Sequence, residues 1–339
     1  MIIPVFVPHA GCPHQCVFCN QHTISGQKTV TVEEVRQQIN RYLKWLKPGQ
    51  ANEAAFYGGS FTGLPLELQT ALFRPVDELL RQGIITRVRL STRPDYIDEP
   101  KLKFLKQHGV YLIELGVQSL DEQVLQAAER GHNAAQVYEA VKLIRQEGFQ
   151  VGIQLMVGMP KQTLSSVRET AEAVCRIKPD LVRIYPLLVL KDTPLEQDYL
   201  QGRFAPLSLE EAVQQAAYVY DRLTGQGIKV IRIGLQPDEE LCRNILAGPF
   251  HPAMGELVKA RAWRDQLAAV LKTYIFKSGD QVDLYCPSGL LSQIKGQANT
   301  NLNYLRELCH PAVLQLKVFE PGKSEAELKA PRLVVRAAR

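Results

Sequence analysis

Residues 110–119 read Val-Tyr-Leu-Ile-Glu-Leu-Gly-Val-Gln-Ser, an apolar run that ends at a glycine. Short runs rich in Val, Ile, Leu and Tyr and bounded by Gly or Pro are typical of buried strands. Similar runs recur along the first two thirds of the chain. We predict strands over residues 2–7, 54–57, 87–91, 110–115, 151–157, 181–185 and 228–233.

Longer stretches with helical periodicity separate these strands. The first begins at Thr31, where Thr31-Val32-Glu33-Glu34 forms a capping box. Alternating strands and helices indicate parallel strands joined by right-handed crossovers, so we predict an α/β fold with a partial or complete β/α (TIM-like) barrel. A flat doubly wound sheet is the structural alternative. The other predicted helices cover residues 66–82, 100–108, 134–147, 165–177 and 209–224.

The pattern changes after about residue 235, and a small α+β domain is expected there. We predict a barrel domain over residues 1–235 and a mildly basic C-terminal domain over residues 236–339. In the second domain a helical stretch is broken at Gly248-Pro249. Its predicted elements are helices within 237–270 and at 300–309, and strands at 273–276, 281–284, 312–319 and 333–335.

Composition limits the class of protein. Hydrophobic residues make up 45% and charged residues 22% of the 339 residues, which is ordinary for a soluble globular protein. No stretch approaches the roughly 20 apolar residues of a membrane span. The N-terminus has no basic residue before its apolar run and is too short for a signal peptide, so we expect a cytoplasmic protein without a membrane partner.

The net charge of +5 is unevenly distributed. Residues 251–339 contain 13 of the 40 basic and 8 of the 35 acidic residues, so this segment carries all of the excess. A mildly basic segment is compatible with nucleic-acid contact, but for so small an excess we favour an ordinary solvated surface.

The unusual residues follow the predicted strands, where function collects in a β/α barrel. Three cysteines follow the first strand, Gly58-Gly59-Ser60-Phe61-Thr62 the second, and Thr92-Arg93-Pro94-Asp95 the third. Gly116-Val117-Gln118-Ser119 and Gly158-Met159-Pro160 follow the fourth and fifth. These segments are therefore predicted to meet at one end of the barrel.

Cys12, Cys16 and Cys19 have the spacing C-x₃-C-x₂-C. Thiolates suit iron–sulfur clusters and zinc, and three cysteines would leave one iron of a cubane cluster open for catalysis. A Cys16–Cys19 redox pair, inert buried cysteines and a zinc site are the alternatives. A zinc site would be completed by His9, His14 or His22.

This spacing, with Phe18 before the last cysteine, resembles the signature of radical S-adenosylmethionine (radical SAM) enzymes. The resemblance implies a [4Fe-4S] cluster on Cys12, Cys16 and Cys19 whose open iron is chelated by S-adenosylmethionine. Reductive cleavage would then release a 5′-deoxyadenosyl radical. Gly58-Gly59-Ser60-Phe61-Thr62 is similar to the family's Gly-Gly-Glu segment, whose backbone binds the methionine amino group, with Ser60 replacing the acidic residue.

Further segments resemble the radical SAM domain of the elongator complex catalytic subunit and its short bacterial relatives. The resemblance implies that Phe18, Gln118 and Arg130 lie near S-adenosylmethionine, with Arg130 as a partner of its carboxylate, and that Arg93 lies in the same mouth. Arg93 could instead brace the barrel by pairing with Asp95 or Glu114, and Arg130 could be a helix-end cation before Gly131. The segments are Ser91–Tyr96, Glu114–Ser119, Arg130–His132, Gly158–Pro160, Arg183–Leu187 and Pro194-Leu195.

The resemblance favours a radical SAM enzyme that modifies RNA, most simply tRNA, with an electron donor such as flavodoxin or ferredoxin. We expect no acetyl-CoA site, because the segment after the barrel is too short for the elongator acetyltransferase domain. One alternative is a radical SAM enzyme acting on a small molecule such as a tetrapyrrole or a metabolite. Another is a non-catalytic zinc-stabilised protein that binds RNA.

Overall fold

The computed structural model describes residues 1–7, 12, 16–20, 31–46, 51–237, 239–319 and 330–337. By its internal contacts the chain divides into two compact units. The first comprises Met1–Ala212 and Arg222–Pro252, and the second comprises Val213–Asp221 and Ala253–Arg339. The boundary that the sequence suggests, between residues 235 and 236, stays a prediction. Within the described residues, no helix is long and apolar enough to cross a membrane.

The first unit alternates strands with helices. Capping boxes begin several of its helices; at the first, Thr31 accepts from the backbone of Glu34, whose carboxylate accepts from Thr31 in return. In chain order the elements are β1 (Ile2–Val7), α1 (Val32–Leu43), β2 (Glu53–Gly58), α2 (Leu66–Arg81), β3 (Arg87–Thr92), α3 (Glu99–Gln107), β4 (Val110–Gln118), α4 (Glu122–Ala127), α5 (Ala134–Gln146), β5 (Gln150–Val157), α6 (Leu164–Ile177), β6 (Leu181–Pro186), β7 (Val189–Leu190), α7 (Pro194–Leu200), α8 (Leu209–Gly225, of which Val213–Asp221 belong to the second unit), β8 (Lys229–Ile233), α9 (Glu239–Asn244) and β9 (Ile245–Ala247).

Seven parallel strands form one curled sheet in the order β1-β2-β3-β4-β5-β6-β8. A doubly wound sheet would reverse direction at a switch point, whereas here each strand follows its predecessor, as in a barrel. The sheet is a half-barrel, because β1 and β8 are its two edges within the described chain. The predicted α/β fold and partial barrel are therefore confirmed.

The two faces of this sheet differ in chemistry. Ile113 and Leu115 on β4 are fully buried, as are Ile153 and Ile184 on the neighbouring strands, and such residues form the apolar core. Glu114 lies between Ile113 and Leu115, so its side chain projects from the opposite face. That face therefore carries charged residues, although it is also largely shielded from water.

The second unit contains a three-stranded sheet. Its elements are α10 (Met254–Leu271), β10 (Gln281–Pro287), α11 (Leu291–Lys295), α12 (Thr300–Cys309), β11 (Val313–Phe319) and β12 (Arg332–Arg336). Parallel β11 and antiparallel β12 flank β10. One face of this sheet packs against the helices through Val282, Leu284 and Cys286 in a common apolar core.

Most predicted elements are present, but some predictions were wrong. Residues 273–276 form no strand, and Ile275 is 93% exposed. Their apolar β-branched and aromatic composition favours a strand, but no neighbouring strand in the described chain pairs with them. The stretch around residue 245 was predicted to be helical; instead β9 pairs with β7 through Ile245 and Ala247. The short helices α4 and α7 were missed.

Asn301 holds the helices of the second unit together. Its buried Nδ2 donates to the Ala260 carbonyl of α10 at 2.8 Å and to the Gln293 carbonyl of α11 at 3.0 Å. Gly296 makes the approach possible, since it has a φ of +68° and a Cβ there would lie 2.8 Å from Asn301 Cγ. One side chain therefore satisfies two carbonyls from separate helices.

We expect Asn301→Ala to lower the free energy of unfolding of the second unit by about 1–3 kcal/mol, because it removes two buried hydrogen bonds between the helices. Trp263 packs against this core and Trp45 lies in the first unit, so urea unfolding followed by fluorescence in a Trp45→Phe background reports on the second unit. Asn303→Ala, an exposed position on the same helix, is the control. Equal midpoints for the two variants would contradict this role of Asn301.

Candidate active site

The second, third and fourth strands end in the segments that the sequence predicted to meet. Gly58 ends β2, Thr92 ends β3 and Gln118 ends β4, and the chain returns to this edge at Arg130. Because the strands are parallel and adjacent, their carboxyl ends lie along one edge of the half-barrel. The cysteine segment after β1 lies at the same edge, because Cys16 contacts Arg130 and Cys12 contacts Arg93.

Backbone hydrogen bonds fix the segment that carries Cys16 and Cys19. Val17 donates to the Ala128 carbonyl after α4 at 3.3 Å and accepts from the Leu195 N–H of α7 at 2.8 Å. Cys19 N–H closes a turn onto the Cys16 carbonyl at 2.9 Å. Phe18 is half-buried and packs with Val17 against an apolar cluster. Phe18 is therefore an anchor of this segment.

Two arginines contact the cysteine sulfurs. Arg130 Nη1 donates to Cys16 Sγ at 3.1 Å, and Arg93 Nη1 lies 3.7 Å from Cys12 Sγ. Both arginines are nearly fully buried. A guanidinium supplies both positive charge and N–H donors, so these contacts suit sulfur that carries negative charge.

Arg93 also connects neighbouring segments. It donates two bonds to the Asp95 carboxylate, at 2.9 and 3.0 Å, and one to the Arg130 carbonyl. Burial opposes the charged form of Arg93, but Asp95 outweighs it, and the pKa of Arg93 is raised. The bracing pair with Asp95 is thus present, whereas Glu114 pairs elsewhere.

Arg130 caps helix α4 with its backbone N–H, which donates to the Leu125 carbonyl at 3.0 Å, but not with its side chain. Helix α4 ends at Ala127, and the Arg130 side chain points into the site, where Nη2 donates to the Gly116 carbonyl. A Cβ at Gly116 would make only an ordinary contact with Arg130 Nη2, at 3.5 Å, and a tighter one with Gln118 Nε2, at 3.3 Å. The alternative of a helix-end cation is therefore wrong for the guanidinium, although the residue does lie at the end of α4.

The side chains of the Gly58–Thr62 segment contact other residues of the protein. A Cβ at Gly58 would lie 2.5 Å from the Val7 carbonyl oxygen, so only glycine permits this approach to β1. Ser60 and Thr62 hydroxyls bond to the Thr92 hydroxyl at 3.0 and 2.5 Å. Phe61 is buried against Phe56 and Phe73. A ligand would therefore be contacted chiefly by the backbone of this segment.

Gln118 and His132 have buried polar atoms without normal partners. Gln118 has a φ of +68°, and its buried Oε1 accepts no hydrogen bond within the described residues. A non-glycine residue with positive φ is strained, and such strain is typical of functional sites. Neither ring nitrogen of His132 makes a well-formed hydrogen bond there. Burial and the charges of Arg130 and Arg93 lower the pKa of His132 to about 3, so its ring is neutral near pH 7.

The sequence did not single out His132, which lay within a motif assigned to Arg130. A histidine directly after an arginine and a glycine, in the short segment between α4 and α5, was the available signal.

Within the described residues, none of the three motif cysteines forms a disulfide bond. Among the residues described, no three His, Cys, Asp or Glu side chains converge closely enough to hold a single metal ion. A cubane cluster spreads its thiolates over separate irons, so its ligands do not meet at one point. His9, His14 and His22 lie outside the described residues, and the zinc alternative is not tested by them.

A buried ion network lies below the strand ends and was also missed from the sequence. Arg183 donates to the fully buried Glu114 carboxylate at 2.5 and 3.0 Å and to Tyr57 OH at 2.9 Å. Arg89 lies 3.6 Å from Glu114 and also pairs with Glu53. Charged residues within otherwise apolar strands were the signal that could have revealed this network.

Fold and site together define an α/β half-barrel enzyme with a cysteine motif at the carboxyl edge of its sheet. A model of the radical SAM superfamily matches residues 6–174, and one of the radical SAM C-terminal domain matches residues 179–264. The chain belongs to the radical SAM superfamily and is a radical SAM enzyme. Enzymes of this superfamily use a [4Fe-4S] cluster and S-adenosylmethionine.

Among curated proteins, the chain is 35% identical over 240 residues to a tRNA uridine(34) acetyltransferase of Dehalococcoides mccartyi, covering 60% of this chain and 52% of that protein. It is 24% identical over 249 residues to an oxygen-independent coproporphyrinogen III oxidase of Synechocystis, covering 71% and 53%. The chain thus spans about half the length of these relatives.

The archaeal Elp3 of Methanocaldococcus infernus, solved with an N-terminal deletion, has a similar fold. Its TM-score is 0.64 at 24% identity, over 78% of this chain and 63% of that one. The resemblance to elongator-type radical SAM regions, expected from the sequence, is confirmed.

We expect Glu114→Gln to lower the free energy of unfolding by about 3–5 kcal/mol, because it removes the buried anion that Arg183 and Arg89 share. Glu139→Gln is the control, since Glu139 is 70% exposed and lies at the outer limit of ion-pair distance from Lys142. Urea unfolding of the metal-free chain followed by circular dichroism measures both variants. A midpoint for Glu114→Gln equal to that of the control would refute the structural importance of the network.

Proposed function

We propose that Cys12, Cys16 and Cys19 hold a [4Fe-4S] cluster and that the chain uses it with S-adenosylmethionine to modify tRNA. The contact of Arg130 with Cys16 Sγ at the carboxyl edge of the sheet carries the first half of this proposal. Three cysteines, two of them beside buried guanidinium groups, match the soft, anionic donor set that iron–sulfur clusters take.

The S-adenosylmethionine site is proposed next to these ligands. Among the described residues, the buried Oε1 of Gln118 accepts no hydrogen bond, which fits a ligand N–H or O–H group. The Nε of Arg130 likewise has no acceptor in the part of the chain that the structure describes, and the guanidinium can contribute charge to a carboxylate. The backbone of Gly58–Thr62 remains for the methionine amino group, because the side chains of Ser60, Phe61 and Thr62 are engaged within the protein.

Bound together, the two cofactors supply a 5′-deoxyadenosyl radical, which removes a hydrogen atom from the substrate. The protein's contribution is electrostatic and positional. Arg130 and Arg93 donate toward ligand sulfurs, and such hydrogen bonds raise the reduction potential of an iron–sulfur centre. His132 stays neutral, so it adds no charge beside the two arginines.

The tRNA half of the proposal rests on similarity to tRNA uridine(34) acetyltransferases and on the basic C-terminal segment. A small-molecule substrate is the second candidate, favoured by the similarity to a coproporphyrinogen III oxidase. Family membership favours either enzyme over the non-catalytic zinc-stabilised RNA-binding protein. A flavodoxin- or ferredoxin-type electron donor and a cytoplasmic location belong to the same proposal.

We expect the anaerobically reconstituted protein to form 5′-deoxyadenosine from S-adenosylmethionine with dithionite, and Cys16→Ala to reduce the yield at least a hundredfold. Cys16 is a proposed cluster ligand, so the variant should also bind less iron. Cys175→Ala is the matched control, because Cys175 is a buried cysteine on α6, outside the motif. Its iron content and product yield should equal those of the wild type.

The proposal fails if iron-loaded wild type forms no 5′-deoxyadenosine, or if Cys16→Ala keeps full activity. Substrate class is separated by adding unmodified tRNA or coproporphyrinogen to the same reaction. A modified nucleoside formed only with tRNA would support the first candidate, and a decarboxylated tetrapyrrole would support the second.

A further inference from the structure

The three-stranded sheet of the second unit has one face that is open to solvent. Its other face packs against helices through Val282, Leu284 and Cys286. Because side chains alternate along β10, the remaining residues Gln281, Asp283 and Tyr285 project from the opposite face. This face, together with the neighbouring residues of β11 and β12, is called the open face below.

The strand register places cations around a central aromatic residue. Tyr285 lies opposite Lys317 on β11 and opposite Arg332 on β12. Lys317 Nζ is 5.5 Å from the centre of the Tyr285 ring. Arg336 lies opposite Gln281 at the other end of the same face. Arg332 and Arg336 are exposed, and Tyr285 is half-exposed, so the group is accessible within this unit.

The single acidic residue on these positions is already neutralised. Asp283 is 1% exposed, and its carboxylate pairs with Lys317 at 2.8 Å and Arg336 at 3.0 Å. The two cations nevertheless remain 39% and 57% exposed, and each keeps N–H donors that Asp283 does not use. With Arg332 included, three cations face one buried anion, so the open face is positively charged.

The shape of the face suits an extended chain. Three strands about 4.8 Å apart give a surface about 10 Å wide, and seven residues give a length of about 20 Å. An aromatic ring between cations can stack one base while the cations contact adjacent phosphates. A duplex keeps its bases stacked inside and offers none to Tyr285, so the chemistry favours an unpaired strand.

We propose that the open face binds single-stranded RNA, with Tyr285 stacking against a base and with Lys317, Arg332 and Arg336 contacting phosphates. The inference rests on the proposed function, since it names the surface by which a tRNA substrate would be held. It assigns a binding role to residues remote in sequence from the cysteine motif. The proposed RNA binding does not require a loaded iron–sulfur cluster.

The test measures binding of a fluorescein-labelled 12-nucleotide single-stranded RNA to the full-length protein by anisotropy at several salt concentrations. We expect Tyr285→Leu to weaken binding about tenfold with little change in salt dependence, because it removes stacking alone. Arg332→Gln should reduce the slope of log affinity against log salt by about 0.7, the value for one phosphate contact to a single strand.

Both substitutions lie on the open face, so they should leave the apolar core of the unit intact. Lys317 and Arg336 cannot be neutralised alone without stranding the buried Asp283 carboxylate. The combined variant Asp283→Asn, Lys317→Gln, Arg336→Gln removes the anion together with its partners. We expect it to reduce the slope of log affinity against log salt by about 1.4. Lys103→Gln with Lys142→Gln, at exposed positions on helices of the first unit, is the control.

Wild-type affinity in Tyr285→Leu and Arg332→Gln would overturn the proposal, as would an equal loss in the control pair. Tighter binding of polyglutamate than of the RNA, weakened by the combined variant but not by Tyr285→Leu, would assign the face to an acidic protein instead. Formation of 5′-deoxyadenosine without RNA separates this test from the proposed function. Tyr285→Leu should retain it in full, so loss of RNA binding with intact cleavage supports the open face specifically.

Discussion

The Arg93 guanidinium contacts three segments at once. It bonds to the Asp95 carboxylate in the turn after β3, to the Arg130 carbonyl in the segment after α4, and to Cys12 Sγ in the cysteine segment. Arg130 extends this chain of contacts to Cys16 Sγ and to the Gly116 carbonyl at the end of β4. The cysteines are far from both arginines in sequence. Parallel strands in chain order bring the ends together, but the guanidinium groups fix how the segments meet, because each planar fork fits partners in only a few directions.

Below this edge, the half-barrel keeps charged groups in its interior. Glu114 is fully buried and lies between Arg183 and Arg89, and a buried carboxylate is stable only when it is paired and hydrogen-bonded. Replacing such a network by apolar residues would often cost no stability, so stability does not explain its presence. The network gives the sheet face below the cysteine motif a fixed arrangement of donors and acceptors, with Tyr57 OH held by Arg183.

The strands, the crossovers and the cysteine motif could be predicted from the sequence, because each depends on local periodicity or on spacing. The prediction of a strand at residues 273–276 was wrong for a physical reason. Strand propensity does not provide a partner strand, and Ile275 remains exposed. The Arg130–Cys16 contact was beyond local reasoning, since the two residues are 114 positions apart and meet only through the sheet. The sequence suggested Arg130 as a carboxylate partner, whereas the structure places one of its donors on a cysteine. The neutral state of His132 likewise depends on burial beside two arginines.

Both units contain a buried carboxylate flanked by two cations, yet the consequences differ. Arg89 and Arg183 beside Glu114 are themselves nearly fully buried, so the charges balance inside the protein and little field reaches the surface. Lys317 and Arg336 beside Asp283 keep 39% and 57% of their side chains exposed, so their unused donors face solvent. The carboxylate then orders two cations that would otherwise repel each other and sample many rotamers. Ordering them beforehand lowers the entropy that a polyanion must overcome on binding, which is why a buried acidic residue can strengthen a basic surface.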